Sequence, residues 1–302
     1  MGRKLISFDW AMKKLLRSKA NFSILEGFLS ELLFTDITID EILESESNQE
    51  NDTSKFNRVD IKVRDGEGRI LLIELQHSRQ YDYLQRILYG TSKVISEQMR
   101  SGDPYANISK VILISIVYFD FVGGTDYIYQ GTTNFIGMHN HENLHLSEQQ
   151  KLLFKVDSVQ DLYPIYYLIE VNKFNGLAKD PLDQWIHFLK TEELPEKCTA
   201  RGLESAKEIL DIMKMTETER VSYEKHQQDL HQEASMYLST FVSGRLEGLE
   251  EGLAEGEQIG IAKGEQIGIL KGKIETARMM KSLGMSDSQI EMITGLSPDQ
   301  WQ

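Results

Sequence analysis

KFNRVDIKVRDGEGRILLIELQ, residues 55–76, reads as two short strands joined by a glycine-containing turn. Val59, Ile61 and Val63 recur at every second position, as do Leu71, Ile73 and Leu75, which is the period of a strand with one face toward a core. Gly66-Glu67-Gly68 is then the hairpin loop, and Gly68 can take the left-handed conformation that a three-residue connection needs. This loop sets Val63 against Leu71, Ile61 against Ile73 and Val59 against Leu75. A slip of one residue would turn these apolar side chains onto the polar face, so the pattern favours this register over its neighbours.

The opposite face follows from the same register. Asp60 lies across from Glu74, Lys62 across from Leu72, and Gln76 two residues beyond Glu74 on the same side. Side chains directly opposed across a strand pair stand about 4.5–5.5 Å apart at Cβ, where two like charges repel unless they share a cation. A divalent metal would resolve that conflict; a solvated polar strand face is the alternative.

The chain has 302 residues, 40% of them hydrophobic, which suits a globular core. It has no run of about 18 apolar residues, and MGRKLISFDWAMKKLL carries charges where a signal peptide would be apolar, so we expect a cytoplasmic protein with no membrane partner. The single cysteine, Cys198, forms no internal disulfide and has no His/Cys cluster around it, so it reads as an ordinary thiol. A formal charge of −14 argues at first against a polyanionic partner. Residues 1–120, however, carry 16 basic against 18 acidic side chains, so most of the acidity falls on the C-terminal part.

Apolar residues at helical spacing over 9–33 predict one or two helices, broken near Ser18–Asn21. Thr35–Glu46 reads as a strand, SESNQENDTS as a polar loop, and Tyr81–Arg100 as a helix ended by SGDP. KVILISIVYFDF, residues 110–121, has the length and β-branched content of a buried central strand. The order is helix, three strands, helix, strand, an α/β unit in which a meander is followed by a crossover. Further strands are expected at Tyr127–Tyr129, Leu152–Val156 and Ile165–Val171, then helices at Leu182–Lys190 and Leu203–Met215.

The ordered landmarks FDWAMKKLL, FSILEGFLSELL, NRVDIKV, IELQ, a helix with Arg86 and Tyr89, GDPY and KVILISIVYFDF resemble the recombination-promoting nuclease (Rpn-like) family, also described as PD-(D/E)XK nuclease family transposases. The likeness covers about the first 200 residues. It implies a restriction-endonuclease-like core and metal-dependent DNA cleavage, linked to recombination or transposition. By position it puts the family's metal-binding aspartate on Asp60, its glutamate on Glu74 and the last member of the E-x-Q element on Gln76. Mg²⁺ (or Mn²⁺) would then be held by Asp60 and Glu74, with the Leu75 carbonyl as a third ligand. Many relatives of this fold have lysine where this chain has Gln76, so another cation is expected: Lys62 on the same face, or Lys13, which matches a family lysine. Asp9 matches the pattern too and would reach the metal through water, although Asp9 and Lys13 also suit a surface helix salt bridge. A DNA-binding or assembly factor that keeps the nuclease fold as scaffold is the alternative function. The basic first helix is a candidate for DNA phosphates, with Arg86 and Arg100 as weaker ones. His139, His141 and His145 read as a clustered surface loop rather than a metal site.

From Gly244 to Gly272 a glycine recurs at every fourth residue. Each costs about 0.8–1.0 kcal/mol relative to alanine in a helix, so the segment is a poor helix alone. It reads as a helix that makes a homo-oligomer, or as an acidic linker. ETARMMKSLGMSDSQIEMITGLSPDQ reads as helix, Gly284 turn, a second helix from Ser286 or Asp287 and a turn at Gly295, either a small helical hairpin or a helix-turn-helix element. The expected organisation is a nuclease-like domain over 1–200, a helical connector over 201–243, the glycine repeat over 244–272 and the hairpin over 273–302.

Overall fold

The computed structural model describes residues 6–8, 10–11, 19–43, 60–120, 123–194, 197–211 and 215–301. Asp9, Lys13, Val59 and the polar loop before it lie outside these residues. Two compact units divide the chain, 1–231 and 232–302.

The first unit is an α/β fold around one six-stranded sheet. Helix α1 (Phe22–Leu33) precedes β1 (Ile39–Leu43), β2 (Ile61–Asp65) and β3 (Ile70–Gln76); α2 (Tyr83–Glu97) leads to β4 (Val111–Val117). There follow β5 (Ile128–Gly131), α3 (Glu148–Phe154), β6 (Ile165–Glu170), α4 (Pro181–Thr191) and α5 (Leu203–Ile209). The strand order is β1-β2-β3-β4-β6-β5, with β3, β4 and β6 parallel and the others antiparallel to their neighbours.

The hairpin register is the expected one: Ile61 pairs with Ile73, Lys62 with Leu72 and Val63 with Leu71. Gly68 sits at φ +80°, and the Gly68 N–H donates to the Asp65 carbonyl to close the three-residue loop. In β3, alternate residues feed two cores. Leu71, Ile73 and Leu75 join α1, α4 and α5 in the larger core, while Ile70 and Leu72 pack with Tyr83, Ile87 and Val94 of α2 in the smaller one. The face carrying Glu74 and Gln76 is therefore covered by α2, and Glu74 is only 5% exposed. A freely solvated polar strand face is ruled out for Glu74.

Helix α1 braces the sheet edge. Ser30 Oγ accepts from the Ile37 N–H and Glu26 Oε1 from the Ile39 N–H, tying the start of β1 to the helix. At Gly27 a side chain is impossible without movement, because a Cβ would stand 2.3 Å from the Arg201 carbonyl oxygen. Helix α5, within the stretch expected to be a connector, buries Leu203 and Ala206 in the larger core.

The expected strand over Leu152–Val156 is helical instead. Ser147 and Gln150 form a reciprocal capping box that starts α3, and this local hydrogen bonding outweighs the β-like look of Leu152-Leu153-Phe154, which packs against no core. The stretch Tyr127–Tyr129 and the stretch Ile165–Val171 do form β5 and β6, each within a residue or two of the expected bounds.

The 66-residue helix α6 (Glu217–Ser282) runs without interruption through all eight repeated glycines. After it, Gly284 at φ +89° turns the chain into α7 (Asp287–Thr294), which ends at Gly295, φ +72°. Ala277, Ile290, Leu296 and Trp301 close a small core there. No helix of the described residues is long and apolar enough to cross a membrane.

Candidate active site

Strands β3, β4 and β6 run parallel and so end at one edge of the sheet, where antiparallel β2 begins and α2 starts. Ligands of open α/β sheets collect outside such carboxyl ends. Topology therefore brings Asp60, just before β2, next to Glu74 and Gln76 at the end of β3.

Asp60 Oδ2 accepts from the Leu75 N–H at 2.6 Å, continuing the hairpin ladder with a side chain. In an antiparallel pair the N–H and C=O of one residue point to the same neighbour, so the Leu75 carbonyl is directed to the Asp60 side as well. Glu74 lies beside Ser115 of β4 in the parallel register. Burial, opposed by Arg86 and reinforced by the Asp60 carboxylate, pushes Glu74 up to about 7.

Among the described residues, the cation that meets Glu74 is Arg86. Its Nη2 donates to Glu74 Oε1 at 2.5 Å, and its Nη1 donates to Gln76 Oε1 at 3.3 Å and to Gln80 Oε1 at 2.9 Å. The position follows from helix geometry: Arg86 is in the first turn of α2, and side chains there lean toward the helix N-terminus, which abuts the end of β3. The guanidinium also stands 5.8 Å from the centre of the Tyr83 ring. Tyr83 is fully buried, its hydroxyl 2.6 Å from Ser115 Oγ. Burial, with the Glu74 charge adding to it, raises the phenol far above its ordinary value. Tyr83 therefore stays protonated and neutral beneath the acids.

Lys62 shares the strand face as expected but is drawn away: its Nζ pairs with Glu97 at 3.4 Å, at the far end of α2. That choice of partner is one the strand register alone could not weigh. Asp9 and Lys13 are outside the described residues. Arg86, read from the sequence only as a phosphate contact, was the missed member; its position a dozen residues after Glu74, one turn into the crossover helix, was the available signal. His139, His141 and His145 are all exposed, in a loop pinned by the bridge between Ile136 and Asn143. Among the described residues no group of three or more His, Cys, Asp or Glu side chains could hold a metal ion.

Neither the curated proteins nor the solved structures contain a significant match to the chain. A family model described as PD-(D/E)XK nuclease family transposase matches residues 6–239, a span that holds the whole sheet, both carboxylates and Arg86. On that match the fold is restriction-endonuclease-like, and the chain belongs to the PD-(D/E)XK nuclease family transposases.

Proposed function

We propose that the protein is a metal-dependent DNA endonuclease whose site is the Asp60–Glu74 pair. The observation that carries this reading is the pair itself: two acids from adjacent strands, one buried and pushed up to about 7, at the carboxyl edge of the sheet. Such a donor set fits a hard divalent cation, which takes one or two carboxylates and keeps water in its other positions. Asp60 and Glu74 would hold it, with the Leu75 carbonyl alongside. Mg²⁺ or Mn²⁺, when bound, supplies charge neutralisation at the phosphate and a more acidic water.

The chain's own groups do the rest. Gln76, two residues past Glu74 on the same face, can orient the attacking water through its amide but contributes no charge. Ser115 and Tyr83 keep the floor of the site neutral and protonated behind Glu74. Water adds to phosphorus, one P–O ester bond breaks, and the products are a phosphate monoester and an alcohol. The family description is what supports a role in recombination or transposition. In a supercoiled-plasmid assay with Mg²⁺, the wild-type protein nicks DNA and Asp60→Ala is slower by at least about 10³-fold. No nicking by the wild type on double- or single-stranded DNA, or unchanged nicking by Asp60→Ala, would sink the reading.

We also infer that the α6 repeat is a self-association segment. At none of its eight glycines would an added Cβ meet another atom within 4 Å, and none has a positive φ. Nothing among the described residues requires glycine at these positions, whereas close approach of a second helix would.

A further inference from the structure

We propose that Arg86 is a catalytic residue: its guanidinium binds the scissile phosphate, and its contact with Glu74 is the resting position that it leaves when cation and DNA enter. This inference rests on the reading of Asp60 and Glu74 as the metal-holding pair and adds to it the source of the positive charge.

Three features of the site carry the assignment. The first is the deficit at Gln76, a neutral amide with no fixed charge to offer the phosphate. The second is the disposition of the nearby cations. Lys62 is committed to Glu97, whereas Arg86 stands between Glu74 and Gln76 with its side chain still 17% exposed. The third is unused capacity. Arginine has five N–H donors, of which Glu74, Gln76 and Gln80 take three; the other two have no acceptor among the described residues. A guanidinium holds phosphate oxygens through two parallel N–H bonds, a geometry that a lysine cannot copy.

The contact with Glu74 is consistent with such a movement. In the absence of a cation, Arg86 offsets the charge of Glu74 and holds it in place. Asp60 and Glu74 would hold a divalent cation, whose charge would replace that of the guanidinium and leave Arg86 free to turn away from Glu74. Gln76 and Gln80 are uncharged acceptors, so releasing them to swing toward the phosphate leaves no buried charge without a partner. The backbone need not move, because the long side chain alone changes its aim.

The test separates catalysis from scaffolding by measuring cation binding without DNA beside nicking with it. Calorimetric titration of Mn²⁺ into the full-length wild type, Arg86→Gln and Arg86→Lys is paired with plasmid nicking by each. For Arg86→Gln we expect Mn²⁺ binding three- to tenfold tighter than wild type, because the competing cation is gone, and nicking slower by about 10²–10³-fold. Arg86→Lys should fall between Gln and wild type in nicking. A parallel loss of Mn²⁺ affinity and nicking in Arg86→Gln would overturn the proposal, because Arg86 would then only hold Glu74 in place. Nicking within threefold of wild type would overturn it as well. Should Arg86→Gln not fold, Arg86→Lys decides alone: nicking at least tenfold slower with Mn²⁺ affinity within threefold supports the phosphate contact, and any other result overturns it. A wild type that binds no Mn²⁺ would sink the metal-site reading and this inference together. Binding that Asp60→Ala abolishes leaves that reading standing and puts Arg86 alone on trial.

Discussion

Two acids of one hairpin, Asp65 at its loop and Glu74 at its open end, are both buried yet live in opposite circumstances. Asp65 is 1% exposed and fully served: it accepts from the Glu67 N–H at 3.1 Å, from the Arg69 N–H at 2.8 Å and from Arg69 Nε at 2.7 Å. Glu74, 5% exposed, receives one donor among the described residues, Arg86, stands beside a second acid and is pushed up to about 7. A carboxylate that the fold uses for itself is surrounded by local donors. One left underserved, against a second acid and an arginine with donors to spare, is arranged for a ligand. Burial alone does not tell the two apart; the count of donors does.

The largest expected difference is between substitutions at the open end of the hairpin, beside Glu74, and at its loop, at Asp65. Asp60→Ala, which removes the neighbour of Glu74, should abolish nicking while urea unfolding stays within about 1 kcal/mol of wild type. Asp65→Ala should cost about 2–4 kcal/mol of stability, because it leaves two backbone N–H groups and Arg69 without their acceptor, while nicking by the folded fraction persists. An Asp65→Ala protein as stable as wild type would remove the distinction.

A smaller effect concerns pH. The folded value of Glu74 lies above its ordinary 4.5, so its contribution to stability is fully present below about pH 4.5 and is lost as pH rises through about 7. The loss amounts to at most about 3 kcal/mol. With chelator present, Glu74→Gln should therefore gain stability on the wild type between pH 5 and pH 8, read as the difference between the two proteins in urea melts. Equal pH profiles would show that Arg86 already compensates the buried charge.

The smallest effect tests the tail against the core. Gly256→Ala and Gly260→Ala should each stabilise α6 by about 0.8–1.0 kcal/mol, because the helix there has open space for a methyl group. If the glycines serve close helix approach, the same changes should weaken self-association in sedimentation even as helicity rises. Tighter association would count against that role.

Much of this was legible before any coordinates. Alternating residues around Gly68 specify the hairpin and its register, because a strand's period is two and a slip inverts every side chain. From that register the meeting of Asp60 and Glu74 follows directly. Less legible was α3: Leu152-Leu153-Phe154 looks like a strand, and only the Ser147–Gln150 capping box argues otherwise. The reading of α6 as a poor helix alone was a matter of propensity, which says what an isolated segment prefers rather than what the chain adopts.

The pair of acids is readable from residues 55–76 alone, since strand register is a local property set by one loop and one alternation. Which described cation meets Glu74 depends instead on packing between distant segments. The sequence offered Lys62 and Lys13 as that cation, with Arg86 only a phosphate contact; Lys13 lies outside the described residues, and the other two, Lys62 and Arg86, are on the strand face and the next helix. The packing of α2 across β3 turns the first toward Glu97 and the second onto Glu74. That choice depends on where a crossover helix begins above the sheet, a long-range matter that no local pattern records.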